Sequence, residues 1–193
     1  VQGLHNSGYD ASGKHQEAYL NGIGTNFQNA FSMNNQNVEN FLDDCLRDLE
    51  AIEHLITGLG TSPVCSYLLK YAVILACSTI EQAFKTLIAD YYEHAAPIMA
   101  SFISCHVREA SKNPTFDVIY KQLLDFDSIK AMSFRTNFEA LPQASFIKGL
   151  LTSLKNLRND VAHGKNVTTS ISDVKNYFEK SRLMIEELDK VLV

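Results

Sequence analysis

The sequence contains no tryptophan, only four prolines and only four cysteines in 193 residues. The cysteines lie 20, 12 and 28 positions apart without a C-x-x-C pair, which excludes the usual spacing of a zinc site or a disulfide framework. No two of the six histidines form an H-x-x-x-H pair, so we expect neither a metal nor another cofactor. We predict instead that the cysteines are small core residues in a reducing cytoplasm: Cys45, Cys65, Cys77 and Cys105.

The sequence also has fewer positively than negatively charged side chains. Lys and Arg total 17 against 22 Asp and Glu, which gives a formal net charge of -5. This balance excludes a protein that coats nucleic acid through a broad basic face, although it allows a small basic site. No run reaches the roughly 18 apolar residues of a membrane span, and the N-terminus has no signal-peptide pattern. We therefore expect a cytoplasmic protein without a membrane partner.

The N-terminal segment, residues 1–36, differs in composition from the rest. Five of the nine glycines fall in its first 24 residues, and Asn, Gln and Ser fill much of the remainder. Such a segment buries little apolar area, so we interpret it as a polar tail, a linker or a vector-derived arm, with Met33 as a candidate native start. The spacing of Tyr19, Leu20, Ile23, Phe27 and Phe31 leaves open a short docked helix.

Residues 37–193 carry helical periodicity throughout, and their hydrophobic content suits one ordinary globular domain. We predict an all-α bundle of about five to seven helices with short connections. The expected helices cover residues 37–56, 63–93, 98–107, 116–124, 128–140, 142–163 and 172–192. The second has an uncharged stretch, residues 71–80, which predicts a central buried helix, and Ser172 is the expected cap of the last.

The motifs of the common nucleotide-binding α/β enzymes and hydrolases are missing. There is no strand alternation, no G-x-G-x-x-G, no G-x-x-x-x-G-K-[ST] and no G-x-S-x-G. These absences weigh against both classes of enzyme. Any chemistry in this chain must therefore come from another arrangement of side chains.

The informative segment is residues 157–164, with the sequence L-R-N-D-V-A-H-G. Arg158 is in phase with Ile147, Leu151 and Leu154, so it shares the core-facing stripe of its own helix. A buried guanidinium without a partner is very costly, and Glu81, which follows the uncharged stretch, is the best candidate partner.

His163 lies five residues after Arg158, about 140° round a straight helix, so the two side chains do not meet on one undistorted helix. They converge either where the helix ends at Gly164 or across the axis of a dimer. A simpler interpretation also stands: Arg158 is a helix-terminal cation and His163 a histidine favoured by the helix dipole.

The run R-N-D-V-A-H-G at residues 158–164 resembles the R-x4-6-H motif of HEPN domains (higher eukaryotes and prokaryotes nucleotide-binding), in which a polar residue often follows the Arg. The likeness extends over most of residues 37–193 and is greatest to the RiboL-PSP type of HEPN protein. Its context includes residues 79–84, 113–116 and 123–127 and the final amphipathic helix.

The resemblance implies a helical homodimer with two R-x4-H motifs facing one cleft, and a metal-independent endoribonuclease of toxin–antitoxin or antiphage-defence systems. Its partners would be the RNA substrate, a second copy and an antitoxin or other defence-system protein. RNA supplies its own nucleophile, the 2′-OH, so proton transfer and charge stabilisation suffice. The site residues would be catalytic Arg158, His163 and Asn159, with Glu81 and Asp160 in support and Lys155 and Lys165 binding substrate.

Local charge agrees with an RNA site. Lys148, Lys155, Arg158 and Lys165 stand against Asp160 alone, four minus one, or +3 over residues 148–165. These lysines are either ordinary surface residues or a patch that guides RNA. Two other functions remain open: a non-catalytic HEPN module that binds nucleotide, RNA or a partner protein, and a helical scaffold in which Arg158 pairs with Glu81 for stability alone.

Overall fold

The computed structural model describes residues 32–193, and the predictions made for residues 1–31 lie outside this part of the chain. Contacts separate the chain into two units, residues 1–32 and 33–193. The described residues contain no strand and seven α-helices, as the all-α prediction requires. The helices are α1 (Gln36–Leu59), α2 (Val64–Ala95), α3 (Ala100–Ile103), α4 (Phe116–Leu124), α5 (Ser128–Glu139), α6 (Ala144–Ala162) and α7 (Ile171–Val191).

Local chemistry fixes most helix ends. The Asn35 side chain accepts a hydrogen bond from the backbone N–H of Val38, and α1 ends at Gly60 in a left-handed conformation. Thr115 and Asp127 cap α4 and α5 in the same way as Asn35 caps α1. The cap of α7 is Ser170, not the predicted Ser172, because Ser170 and Asp173 form a reciprocal capping box.

Helix α2 is the central element and packs against α1, α6 and α7. The core between these helices and α5 contains fully buried aromatic rings, each worth about 2–3 kcal/mol of burial relative to exposure. They are Phe84, Phe134, Phe138 and Phe178. This core holds α6, the helix of the R-x4-H motif, against α2 and α7.

The prediction that α2 is buried all round is wrong for one face. Ala72, Val73, Ala76, Cys77 and Ile80 are buried, but the opposite face is exposed over three turns. We call this face the α2 stripe; its members are Val64, Tyr67, Tyr71 and Ile74. By length and composition α2 is the one described helix able to cross a membrane, a property that core helices of water-soluble proteins share.

The helix predicted over residues 98–107 is broken into three turns. A 3₁₀ turn (Pro97–Met99), the four-residue α3 and a π-helical turn (Ser104–Arg108) follow one another. Ile98 and Phe102 are exposed, whereas Ile103 and Val107 are fully buried, so this segment reaches the core through two side chains. Cys105 is also exposed and Cys65 half-buried, which corrects the prediction of four core cysteines; Cys45 and Cys77 are buried as predicted.

Residues 33–35, which the sequence analysis assigned to the N-terminal segment, pack on the helical domain. Met33 is buried, and the buried carboxylate of Asp189 in α7 accepts hydrogen bonds from the backbone N–H groups of Asn34 and Asn35 at 2.5 and 3.1 Å. The Asn34 side chain adds a third bond to Asp189 at 3.1 Å. The start of α1 is thereby fastened to the last turn of α7, and a buried charge is satisfied.

Candidate active site

The R-x4-H motif lies at the C-terminal end of α6. His163 is the cap residue, and Gly164 follows with φ +73, in the left-handed region. The N–H of Lys165 donates to the carbonyl of Asp160 at 2.9 Å, and that of Gly164 to Val161 at 3.0 Å. This is a Schellman motif, which ends the helix at a defined residue. The sequence R-N-D-V-A-H-G therefore places His163 at a fixed helix end.

The imidazole of His163 is exposed and has no hydrogen-bond partner among residues 32–193. Both of its ring nitrogens are therefore open to a ligand. A histidine in this condition can accept a proton at one nitrogen or donate one, as general acid–base catalysis requires.

Arg158 is half-buried and is held by neutral groups. Its Nη1 donates to Oδ1 of Asn113 at 3.0 Å and, at 3.4 Å, to Oδ1 of the neighbouring Asn159. The other guanidinium nitrogens have no partner in the described part of the chain, and neither is a buried unpaired atom. They are therefore accessible to solvent, so the guanidinium retains free donors for an anion.

The prediction that Glu81 pairs directly with Arg158 is corrected by the structure. Glu81 forms an ion pair with Lys85, one turn along α2, at 2.5 Å, because this cation lies closer along the same helix. The same carboxylate accepts the backbone N–H of Lys112 at 2.9 Å. Glu81 thus holds the loop that presents Asn113 to Arg158, and its link to Arg158 is indirect. The scaffold interpretation, which needs a direct Arg158–Glu81 pair, loses its basis.

The thiol of Cys77 lies among the charges of this site. Burial raises its pKa to about 12; Arg158 lowers the pKa electrostatically, Glu81 raises it and Lys155 lowers it. The three charged side chains are therefore close enough to Cys77 to act on it. Cys77 itself stays protonated and apolar at neutral pH, which makes it a packing residue beneath Arg158.

Two of the four cations counted in the sequence are already paired. Lys165 binds Asp160 at 2.7 Å, and Lys148 binds Glu139 at 2.9 Å. Lys155 and Arg158 have no carboxylate partner among the described residues and lie three positions apart on α6. These two form a small cationic patch, which we call the Lys155–Arg158 patch.

The structure does not bring Arg158 and His163 of one chain together. They share no hydrogen bond and no partner, and the five-residue step puts them about 140° apart round α6. His163 instead follows Asn156 and Asp160 at steps of four and three, on the side of α6 away from Arg158. Among the predicted site residues, the hydrogen-bonded pairs are Arg158 with Asn159 and Asp160 with Lys165.

Asn113 is the site residue that sequence reasoning missed. It lies 45 positions before Arg158, and no periodicity connects a loop residue with a helix that far away. The signal available was the Asn-Pro-Thr run that precedes the capped start of α4. That run predicts a turn but gives no partner for the Asn side chain.

No cluster of three or more His, Cys, Asp or Glu side chains able to hold a metal occurs in the described residues.

Comparison with known proteins identifies a family. The family described as RiboL-PSP-HEPN matches residues 40–193, which include α2, α6 and every predicted site residue. No curated protein and no solved structure matches the chain.

Proposed function

The chain belongs to the RiboL-PSP-HEPN family, a HEPN group whose fold serves as a ribonuclease or a nucleotide-binding module, and we propose that it is a metal-independent endoribonuclease. One observation carries the proposal. In its R-x4-H motif, Arg158 retains guanidinium donors, and His163 presents an imidazole, that have no partner within residues 32–193. A cation for the phosphate and a proton carrier are what RNA cleavage by its own 2′-OH needs.

The proposed reaction is a transesterification. His163 takes the proton of the 2′-OH, whose oxygen forms a bond to the adjacent phosphorus. The bond between phosphorus and the 5′-oxygen breaks, and that oxygen receives the proton that His163 took up. The products are a 2′,3′-cyclic phosphate and a 5′-OH. Arg158 stabilises the charge that grows on the non-bridging oxygens.

The neighbouring residues have supporting roles in the proposal. Asn159 orients the Arg158 guanidinium, which it contacts at 3.4 Å. Lys155 attracts the RNA backbone beside Arg158, since it has no carboxylate partner in residues 32–193. Lys165 is tied to Asp160, but an exposed pair of this kind is weak and a phosphate can compete for the lysine. Glu81 acts through the loop that holds Asn113.

The active form in this proposal is a homodimer. The α2 stripe exposes four large apolar side chains at steps of three and four, and Tyr67 is 72% exposed. Ile74, at one end of the stripe, is three residues from Cys77, beside which Arg158 lies. A second copy seated on the stripe would remove this apolar surface from water and bring its own motif close to Arg158.

A cytoplasmic ribonuclease endangers the RNA of its own cell. We therefore propose that the protein is a toxin or an antiphage-defence effector, restrained by an antitoxin or another protein of the same system. The expected partner is therefore an inhibitory protein, because uncontrolled ribonuclease activity would harm the cell.

The experiment is RNA cleavage by the full chain in the presence of EDTA. The wild type and His54→Ala, a control at an exposed histidine of α1, should cleave equally. His163→Ala and Arg158→Ala should each lower the rate by about 100-fold or more, the usual effect of losing a general base or an oxyanion donor. The products should carry 2′,3′-cyclic phosphate ends.

Two outcomes would contradict the proposal. Cleavage that survives both substitutions would rule out the assigned residues, and cleavage abolished by EDTA would rule out the metal-independent mechanism.

A second candidate function is a non-catalytic module that binds RNA or nucleotide, favoured by the separation of Arg158 from His163 within one chain. Stable RNA binding without any cleavage would support that alternative.

A further inference from the structure

A shallow surface groove with a volume of about 450 Å³ lies between the C-terminal half of α6 and the start of α7. We call it the α6–α7 pocket. The residues that bear on its chemistry are Asn156 and Asp160 from α6, Thr168 from the following loop, and Asp173 and Tyr177 from α7. Its volume is within the range of small-molecule sites. Of the residues given a role above, Asp160, the partner of Lys165, is the one that lines this pocket.

Three polar groups in the pocket have no hydrogen-bond partner among the described residues. They are the side chains of Asn156 and Thr168 and the hydroxyl of Tyr177. The two carboxylates differ in this respect. Oδ2 of Asp173 already accepts the N–H and hydroxyl of Ser170, at 3.1 and 2.7 Å, and the hydroxyl of Thr169 at 3.2 Å.

Asp160, in contrast, has spare capacity. Its Oδ1 accepts one hydrogen bond, from Lys165 at 2.7 Å, and its Oδ2 accepts none from residues 32–193. An ionised carboxylate has about four acceptor positions on its two oxygens. Asp160 can therefore accept two parallel N–H groups from a ligand, whether Lys165 stays paired with it or turns to a phosphate.

The charge of the pocket selects the kind of ligand. Two carboxylates line it, and only Asp160 is paired with a cation, Lys165, so a neutral group that donates hydrogen bonds is favoured over a phosphate. The half-buried ring of Tyr177 offers an apolar surface for a flat partner. Unstacked RNA bases are recognised in this manner, by an aromatic surface and by hydrogen bonds to their Watson–Crick edges.

The edge that fits Asp160 belongs to guanine. Its N1–H and N2 amino group are adjacent donors in one plane, which match the two oxygens of a carboxylate. Adenine and cytosine present a single amino donor beside a ring acceptor, and uracil presents one N–H between two carbonyls. A carboxylate would face an acceptor in each of these three bases, at a cost in affinity.

We propose that the α6–α7 pocket binds a guanine base of the RNA substrate through Asp160, with Tyr177 beneath the ring. This deepens the ribonuclease proposal and rests on it for the identity of the substrate. Asn156, Asp160 and His163 follow one another at steps of four and three on α6. The pocket therefore lies on the His163 side of the motif, where it can fix a nucleotide next to the cleaved bond.

The test is binding of free nucleotides to the full chain by isothermal titration calorimetry. GMP should bind at least about tenfold more tightly than AMP, CMP or UMP, and also than IMP, which lacks only the N2 amino donor. Asp160→Asn should remove the preference for GMP over IMP, because an amide replaces one acceptor oxygen by a donor. Asn156→Ala, at an exposed helix position, should weaken GMP binding without loss of the fold. Asp44→Asn, at an exposed carboxylate of α1, should change nothing.

Equal binding of GMP and IMP to the wild type, or no GMP binding, would overturn the inference. An unchanged preference in Asp160→Asn would do the same. The readout needs no cleavage, so the two proposals fail separately. GMP selectivity in a protein that does not cut RNA would remove only the ribonuclease, and cleavage without GMP selectivity would remove only the guanine pocket.

Discussion

At the residue scale, the partner of Arg158 determines how much positive charge the site can use. A carboxylate would have neutralised the guanidinium, whereas the amide oxygen of Asn113 holds it at 3.0 Å and leaves its charge intact. Glu81 contributes indirectly, because it accepts the backbone N–H of Lys112, the residue before Asn113. Its negative charge is compensated by Lys85 and by this N–H, and does not neutralise Arg158. An arginine that is both positioned and unneutralised suits a site for an anionic transition state.

Asn113→Ala should lower kcat/KM for RNA by about tenfold, because it removes one hydrogen bond to the charged Arg158. The melting temperature should change little, since a neutral loop side chain is lost. Asn113→Asp should also lower the rate, because its carboxylate neutralises the guanidinium that it holds. Steady-state kinetics at fixed ionic strength, with Asn40→Ala on α1 as the control, measure both effects. Full activity of Asn113→Asp would show that orientation alone matters.

The sequence predicted Arg158 and His163 as a pair of interest and predicted the core-facing phase of Arg158. It could not identify Asn113, because helical spacing relates residues of one helix and the loop before α4 returns to α6 only through tertiary packing. Glu81 was predicted as the partner of Arg158 because it is the acidic residue that follows the uncharged stretch of α2. Lys85 lies one turn away on the same helix, so the i, i+4 spacing favours it over Arg158 as the partner of Glu81.

At the element scale, the seven helices were largely predictable and their exposed faces were not. The predicted spans for α4 and α5 agree with the observed ones to within a residue, because capping residues and apolar periodicity both mark them. The exposed face of α2 was not predicted, because this helix is apolar nearly all round. Its sequence therefore has no periodic pattern that separates a buried side from an exposed one. Which side it exposes depends on where α1, α6 and α7 pack, and the sequence of α2 does not contain this information.

The end of α6 gives a paired prediction on stability. Gly164→Ala should lower the free energy of unfolding by about 1 kcal/mol, because φ +73 strains a residue with a Cβ. Gly149→Ala, at an exposed position inside the same helix, should raise it by about 0.5–1 kcal/mol. Neither new methyl group meets another atom within 4 Å, so backbone conformation alone decides the signs. Urea unfolding monitored by circular dichroism measures both.

Equal effects of the two substitutions would contradict this account of the helix end. Gly164→Ala should in addition impair RNA cleavage if the Schellman motif holds His163 in position. Gly149→Ala, two turns of helix or more before the motif, should leave cleavage unchanged and serves as its control.

At the scale of the whole molecule, the separation of Arg158 and His163 round α6 bears on how a site is assembled. If each site takes Arg158 from one copy and His163 from the other, two inactive variants can complement one another. A heterodimer of Arg158→Ala with His163→Ala would keep one intact pair and should have about half of the wild-type activity. Differently tagged chains, co-expressed and purified in two affinity steps, allow the rate to be measured.

Homodimers of either variant, treated identically, are the negative controls. An inactive heterodimer that light scattering shows to be intact would place both residues of a site in one chain. Tyr71→Asp in the α2 stripe should prevent dimerisation, since it puts a charge on the apolar face, and should abolish complementation with it. A monomeric and fully active Tyr71→Asp would remove the dimer from the mechanism.

The fastening of Asn34 and Asn35 to Asp189 has a topological consequence. Asn34, Asn35, Leu192 and Val193 line one pocket, so the start of α1 and the end of α7 lie beside each other in the described residues. A short linker could join Val193 to Met33, and the chain could be reopened at an exposed connection such as the one between α5 and α6. A domain with this geometry can be inserted whole into the loop of another protein, because its entry and exit points coincide.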